Sequence, residues 1–176
     1  RDLELERQAR TFQQDLQNEI TTVYAPPTYV ASPVNLPGTS KRHGWEVSAT
    51  AQLTPGLSLS GTYTYLDSRD PSGNRELRRP RHSGSARVDY VSETGHTLFG
   101  EAVFNGVMDD NDFTSLPVQR VSLDSYTVVN LGGSYRLNEN FEVFARMENA
   151  FDEQYEEIAG YNTEGRTFFA GIRGEF

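Results

Sequence analysis

Apolar and polar residues alternate with a period of two along most of this chain, and the alternation resumes after each turn signal. Because strand side chains point to opposite faces in turn, each such stretch predicts a two-faced β-strand. Trp45, Val47, Ala49, Ala51 and Leu53 oppose Glu46, Ser48, Thr50 and Gln52. Beyond Thr54-Pro55-Gly56, a tight turn by its Pro-Gly chemistry, Leu57, Leu59, Gly61, Tyr63 and Tyr65 oppose Ser58, Ser60, Thr62 and Thr64. Ala86, Val88 and Tyr90 oppose Arg87 and Asp89; past Ser92-Glu93-Thr94-Gly95, Leu98, Gly100, Ala102 and Phe104 oppose Glu101. Val129, Leu131, Gly133 and Tyr135 oppose Asn130, Gly132, Ser134 and Arg136, and after Asn138-Glu139-Asn140 come Phe141, Val143, Ala145 and Met147 against Glu142, Arg146 and Glu148. The last strand sets Phe168, Ala170, Ile172, Gly174 and Phe176 against Thr167, Phe169, Gly171, Arg173 and Glu175. Seven strands are clear, and an eighth, at about 10–20, is blurred by Gln13, Gln14, Asp15 and Gln17.

The connections carry a second pattern. Short turns at 54–56, 92–95 and 138–140 alternate with long segments at about 21–43, 67–83, 106–124 and 150–165. Outer-membrane barrels have short turns on the periplasmic side and long loops outside the cell, so this parity places the C-terminus in the periplasm. Tyr65, Tyr90, Phe104, Tyr135 and Phe141, near strand ends on the apolar face, fit interfacial aromatic girdles. The terminal strand, with Phe168, Ala170, Ile172, Gly174 and Phe176 on one face, resembles the C-terminal assembly signal of bacterial outer-membrane barrels. That resemblance implies the barrel-assembly machinery as a partner.

Composition hides this pattern. Mean hydropathy is -0.61, and no stretch approaches the roughly 20 apolar residues of a spanning helix. Barrel strands need only about 9–11 alternating residues each, so a transmembrane barrel stays open where a helical membrane protein is excluded. The absence of cysteine removes disulfides and thiolate sites, and a formal charge of -9 argues against nucleic acid as a partner. The chain opens on Arg1-Asp2-Leu3-Glu4 without methionine or signal pattern, as expected of a processed or truncated product.

Local motifs then resemble the C-terminal third of TonB-dependent outer-membrane receptors, of the vitamin B12 and siderophore transporter type. The run Glu148-Asn149-Ala150-Phe151-Asp152-Glu153-Gln154-Tyr155, followed by Gly160-Tyr161-Asn162-Thr163-Glu164-Gly165-Arg166 and the terminal strand, is similar to that family's penultimate and last strands. Phe12, Asp15, Asn18-Glu19-Ile20, Gly44-Trp45-Glu46 and Leu77-Arg78-Arg79-Pro80-Arg81-His82 are family-like in order and spacing. The resemblance implies an all-β, antiparallel transmembrane β-barrel segment of about eight strands, residues 1–176 being the C-terminal part of a 22-stranded barrel whose plug domain and N-terminal strands lie elsewhere. It implies uptake of a scarce, bulky nutrient (cobalamin or iron-siderophore class) captured by external loops and energised by TonB acting on the plug. A complete eight-stranded barrel serving as adhesin or anchor is the structural alternative, and an outer-membrane hydrolase is a third.

Chemistry-bearing residues are few, and neither an enzyme nor a cofactor is expected. His43 and His82 border long loops while His96 follows a short turn, so the three histidines do not converge. No nucleophile motif surrounds Ser83 beside His82. Met108-Asp109-Asp110-Asn111-Asp112-Phe113 concentrates carboxylates in an outer loop, but the further ligands and the glutamate of a calcium loop are missing. Asp110, Asn111, Phe113, Tyr155 and Tyr161 are nutrient-contact candidates by position. Arg75, Arg78, Arg79 and Arg81 suit phosphates of lipopolysaccharide or an anionic substrate, or else loop packing against Asp67, Asp70 and Glu76. Glu101, Asn130, Arg146, Glu148, Arg173 and Glu175 are expected to line the lumen.

Overall fold

The computed structural model describes residues 4–24 and 30–175, so Phe176, the last member of the expected assembly signal, lies outside the described residues. Eight strands form one sheet: β1 (Glu4–Gln17), β4 (Thr39–Thr54), β5 (Leu57–Arg69), β6 (His82–Val91), β7 (Thr97–Asn105), β10 (Tyr126–Arg136), β11 (Phe141–Glu148) and β14 (Thr167–Gly174). They follow one another in that order, each antiparallel to the next. Three separate hairpins rise from the long connections: β2 (Ile20–Tyr24) with β3 (Ala31–Asn35), β8 (Met108–Asp112) with β9 (Gln119–Leu123), and β12 (Glu156–Ile158) with β13 (Tyr161–Asn162).

The register turns the alternation of single strands into two continuous faces. Leu5, Ala51, Leu59, Val88, Gly100, Leu131, Met147 and Phe168 form one row of paired positions across all eight strands. One residue along, Glu6, Thr50, Ser60, Arg87, Glu101 and Asn130 form a polar row on the other side. A slip of one residue at any pairing would have mixed the two, so turn length and face polarity specify the same register. None of the described residues covers the apolar face, where Leu98, Phe168 and Ile172 are 63%, 66% and 71% exposed. Among the described residues the buried apolar side chains are Met108, Leu123, Tyr126 and Ala159, all at the long-loop end. An uncovered apolar sheet face of this extent is what hydrocarbon, not water, solvates.

Aromatic side chains border that face at both ends. Toward the long loops Trp45 stacks on Tyr65 at 6.2 Å and lies 5.1 Å from Tyr63, and His82 packs 5.3 Å from Tyr65. At the short-turn end His96 stacks on Tyr135 at 4.0 Å. The polar face uses aromatics differently: the Arg87 guanidinium lies 4.1 Å above Phe99, and that of Arg146 lies 4.9 Å above Phe169. These rings give flat platforms to cations that would otherwise extend into the interior. Phe12 and Gly44 pair directly on this face, and a side chain at Gly44 would collide with the Phe12 ring and the Tyr65 carbonyl.

Three expectations are corrected. The eighth strand runs over Glu4–Gln17, not about 10–20; it ends where Asn18 takes a left-handed φ of 52°. Gln13, Gln14, Asp15 and Gln17 look faceless because that part of β1 pairs with His43, Arg42, Lys41 and Thr39, beyond the aromatic border, where both faces are wet. The long segments are not plain loops, since β4 and β5 extend into them and three of the four carry a hairpin of their own. Nor does the sheet close on itself as a small complete barrel: among the described residues β1 and β14 each pair along one edge only.

Two outcomes follow. Unpaired strand edges cannot persist in lipid, so the 176-residue chain alone is expected to aggregate or stay protease-sensitive in micelles; heat-modifiable, protease-resistant monomers would contradict this. In denaturant titrations of the whole protein refolded into micelles, Ala145→Arg on the apolar face should cost about 2–4 kcal/mol if it lies near the midplane, and Ser134→Arg on the polar face much less. Equal costs on both faces would overturn the assignment of the faces.

Candidate functional site

At the long-loop end the strands of the sheet pass from two-faced to polar on both sides, and a network of charges fastens the connections. Arg42, on the polar face of β4, is the first hub. Its guanidinium donates to Glu76 through Nε and Nη2, both at 2.8 Å, and to Glu19 at 2.6 Å. Glu76 also accepts from the Ser68 hydroxyl and from Arg79 at 2.7 Å. Burial alone would push the Glu76 carboxyl up, but hydrogen bonds from Arg42 and Ser68 outweigh it and hold the group below the usual carboxylate range.

Asp110 is the second hub and is wholly buried. One carboxylate oxygen accepts from Arg78 Nε at 2.9 Å, and the other from the Ala159 amide at 2.9 Å. Three connections therefore meet at one side chain: the segment carrying Arg78, the β8–β9 hairpin and the β12–β13 hairpin. The Arg78 amide also donates to the Asp109 carbonyl at 2.8 Å, with Arg78 itself at a φ of 56°. Met108, Leu123 and Ala159, with Val121 against them, supply the apolar packing around this junction. Burial again pushes the Asp110 carboxyl up, and the Ala159 N–H and Arg78 more than offset it.

The four arginines singled out in the sequence separate. Arg78 is held by Asp110, Arg79 by Glu76, and Arg81 by Asp67 at 3.4 Å. Arg75 gives its carbonyl to Arg120, while its guanidinium has no partner among the described residues and borders a 440 Å³ cleft shared with Ser40, Arg42, Arg79 and Asn111. Asp70 instead caps its own turn, accepting from the Ser72 and Asn74 amides at 2.9 Å. The acidic run does not converge either: Asp109 pairs with Arg120 at 2.7 Å, Asp110 faces Arg78, and Asp112 accepts from Thr114 and Ser115.

Of the five nutrient-contact candidates, Asn111 borders the cleft, and Phe113 and Tyr161 stand out at 59% and 70% exposure. Asp110 holds the junction from inside, and Tyr155 stacks on Tyr126 at 4.1 Å. Tyr126 in turn hydrogen-bonds Asn105 at 2.9 Å and Glu157 at 3.1 Å, partners that sequence spacing had not brought together. His82 and Ser83 are paired into opposite faces of β6, and His82 Nδ1 is 2.6 Å from the Tyr63 hydroxyl, which leaves no dyad between them. The motif after β11 is a turn knot. Asn149, at a φ of 49°, exchanges bonds with the Glu153 backbone at 2.8 and 2.9 Å, and Asp152 accepts from the Arg166 amide at 2.8 Å, tying the end of β11 to the approach of β14.

A family model described as TonB dependent receptor-like, beta-barrel, matches residues 8–150. The chain is 31% identical over 132 residues to the vitamin B12 transporter BtuB of Photobacterium profundum, covering 74% of this chain and 21% of that protein. It is 27% identical over 131 residues to BtuB of Vibrio cholerae serotype O1, with the same coverage. It thus spans about a fifth of the length of these curated relatives. Among solved structures, the ferripyoverdine receptor of the outer membrane of Pseudomonas aeruginosa superposes with a TM-score of 0.77 at 20% identity, over 98% of this chain and 25% of that one. The copper transporter OprC superposes at 0.76 and 18% identity, over 98% and 29%. These likenesses share the strand arrangement at low identity.

Asp110→Asn should loosen the junction by about 1–3 kcal/mol, read as faster hydrogen exchange at the Ala159 amide and earlier proteolysis within 108–123 and 156–162. The pH sign follows from the lowered carboxyl. The stabilisation is complete above the unfolded value of about 3.9 and fades as pH falls through the lower folded value, so acid should reproduce the Asn phenotype. Unchanged exchange at Ala159 in the variant would dismiss Asp110 as the fastener.

Proposed function

The chain belongs to the TonB-dependent receptor-like β-barrel family, and from that premise we propose that the whole protein imports a scarce, bulky nutrient across the outer membrane. In this reading residues 1–176 form the C-terminal part of the barrel wall, the apolar face meets lipid, and the polar face with Arg87, Glu101, Asn130, Arg146 and Glu148 looks into the lumen. The short-turn end, where the end of β14 pairs with the start of β11, is periplasmic, and the fastened loop end captures the nutrient outside the cell. TonB supplies energy through a plug carried elsewhere in the protein, and no covalent step is involved. The carrying observation is the pair of continuous faces, one uncovered and apolar and the other charged, running across eight strands in register. Cobalamin and iron-siderophores are the nutrient classes we assign.

Asn111, Phe113 and Tyr161 present side chains for nutrient contact, while Asp110 and Tyr155 hold the hairpins that carry them. The deciding experiment is uptake of labelled cobalamin and of ferric siderophores by cells with the receptor as their sole route. Uptake should disappear without TonB. The Phe113→Ala/Tyr161→Ala pair should weaken it by roughly tenfold in apparent affinity, as expected for loss of aromatic contacts. Uptake that persists without TonB would remove the energised-transport reading.

A further inference from the structure

Residues at the outer end of β4 and β5 carry charge on the lipid side of the sheet, and the transport reading does not use them. Lys41 pairs with Arg69, and His43 with Asp67, directly beyond the Trp45–Tyr65 pair and on the same face as it. Arg81 joins from the segment before β6. Three basic side chains thus gather on one carboxylate: Asp67 lies 3.3 Å from Arg69, 3.4 Å from Arg81 and 4.0 Å from His43. Lys41 has no hydrogen bond or ion pair among the described residues; Asp15 is its register partner across β1. Arg81 meets Asp67 through Nη2, while its Nε is buried without a partner among the described residues. Lys41, Arg69 and Arg81 set three basic side chains against the carboxyls of Asp67 and Asp15, an excess of basic groups in a chain whose formal charge is -9.

Position gives this patch its meaning. Trp45, Tyr63, Tyr65 and His82 lie immediately below it on the same face, in mutual ring contact. Amphipathic rings of this kind sit at the level of lipid headgroups. Cations just beyond that border, on the lipid side, therefore stand at the height of headgroup phosphates. The cleft arginines Arg42 and Arg79 bond Glu76 on the other side of the sheet and do not reach this surface.

We propose that Lys41, Arg69 and Arg81 form a docking surface for a phosphorylated headgroup of the outer-leaflet lipid, with Asp67 positioning the two arginines and the aromatic border packing on the acyl-chain side. Guanidinium forks suit phosphate oxygens, and the shared carboxylate keeps both forks at the same height. The proposal rests on the outward orientation of the loop end, but not on which nutrient is carried.

The test uses the whole receptor in phosphatidylcholine nanodiscs, with bound lipid counted by native mass spectrometry. Three lipids are compared: bisphosphorylated lipid A, the same lipid with its phosphates removed, and phosphatidylcholine alone. Bisphosphorylated lipid A should be retained and the dephosphorylated form should not. Each of Lys41→Gln, Arg69→Gln and Arg81→Gln should weaken retention by roughly tenfold. Arg69→Lys should keep part of it, and Arg75→Gln, at the cleft, should leave it intact. Inorganic phosphate at equal concentration should not compete. The proposal is overturned by equal retention of the dephosphorylated lipid, by retention insensitive to all three substitutions, by equal loss in Arg75→Gln, or by displacement with inorganic phosphate. Uptake is measured on the same variants: lipid retention without uptake removes the transport reading and leaves the docking surface, and uptake without retention does the reverse.

Discussion

Backbone polarity is the constraint on which everything else here depends. In hydrocarbon an unpaired N–H or C=O costs several kcal/mol, so a chain that crosses with strands must place every crossing residue in a ladder. The eight-strand meander meets that demand between neighbours with short turns on one side. Once the ladder is fixed, the side chains have no freedom of face: below the Trp45–Tyr65 pair, odd-numbered residues of β4 and β5 take the apolar side and even-numbered ones the polar side. Among the described residues β1 and β14 each keep one open edge, and there the same demand is left unmet by this sheet.

The layering of chemistry along the strand axis follows from the surroundings at each depth. Between the borders the apolar side needs only to be greasy, and Gly100 and Ala51 stand in the same row as Leu59 and Leu131. At the borders, rings with a polar tip suit a medium that is apolar below and wet above. Beyond the border β4 and β5 become ordinary hydrated strands, so Lys41, Arg42 and His43 follow one another without regard to face polarity. Arg42 and Lys41, adjacent in sequence, thereby serve opposite sides of the wall.

The sequence revealed most where a single strong preference acted on it. Period-two alternation from Trp45 to Leu53, or from Leu57 to Tyr65, reports a face boundary that lipid enforces, and seven strands could be read from it with their order and turns. It failed at β1 above Thr11, because two wet faces leave no alternation to detect. The loop end was legible only as composition. The burial of Asp110 depends on Arg78 and Ala159, which lie on two other connections far away in the chain. Which carboxylate takes Arg79 or Arg81 depends in turn on how those connections fold back over the ends of β4 and β5. The Asn149 knot was visible as a motif, but its cause, an asparagine bonding across a left-handed turn, emerged only from the geometry.

The Asp110 junction has a bearing on how the long connections can vary in length. One carboxylate fixes the height of Arg78, of the β8–β9 hairpin and of the β12–β13 hairpin together. Lengthening any one of them would pull its donor away and leave a buried charge half satisfied. The three connections are thus coupled in length, and a change in one of them calls for a matching change in the other two.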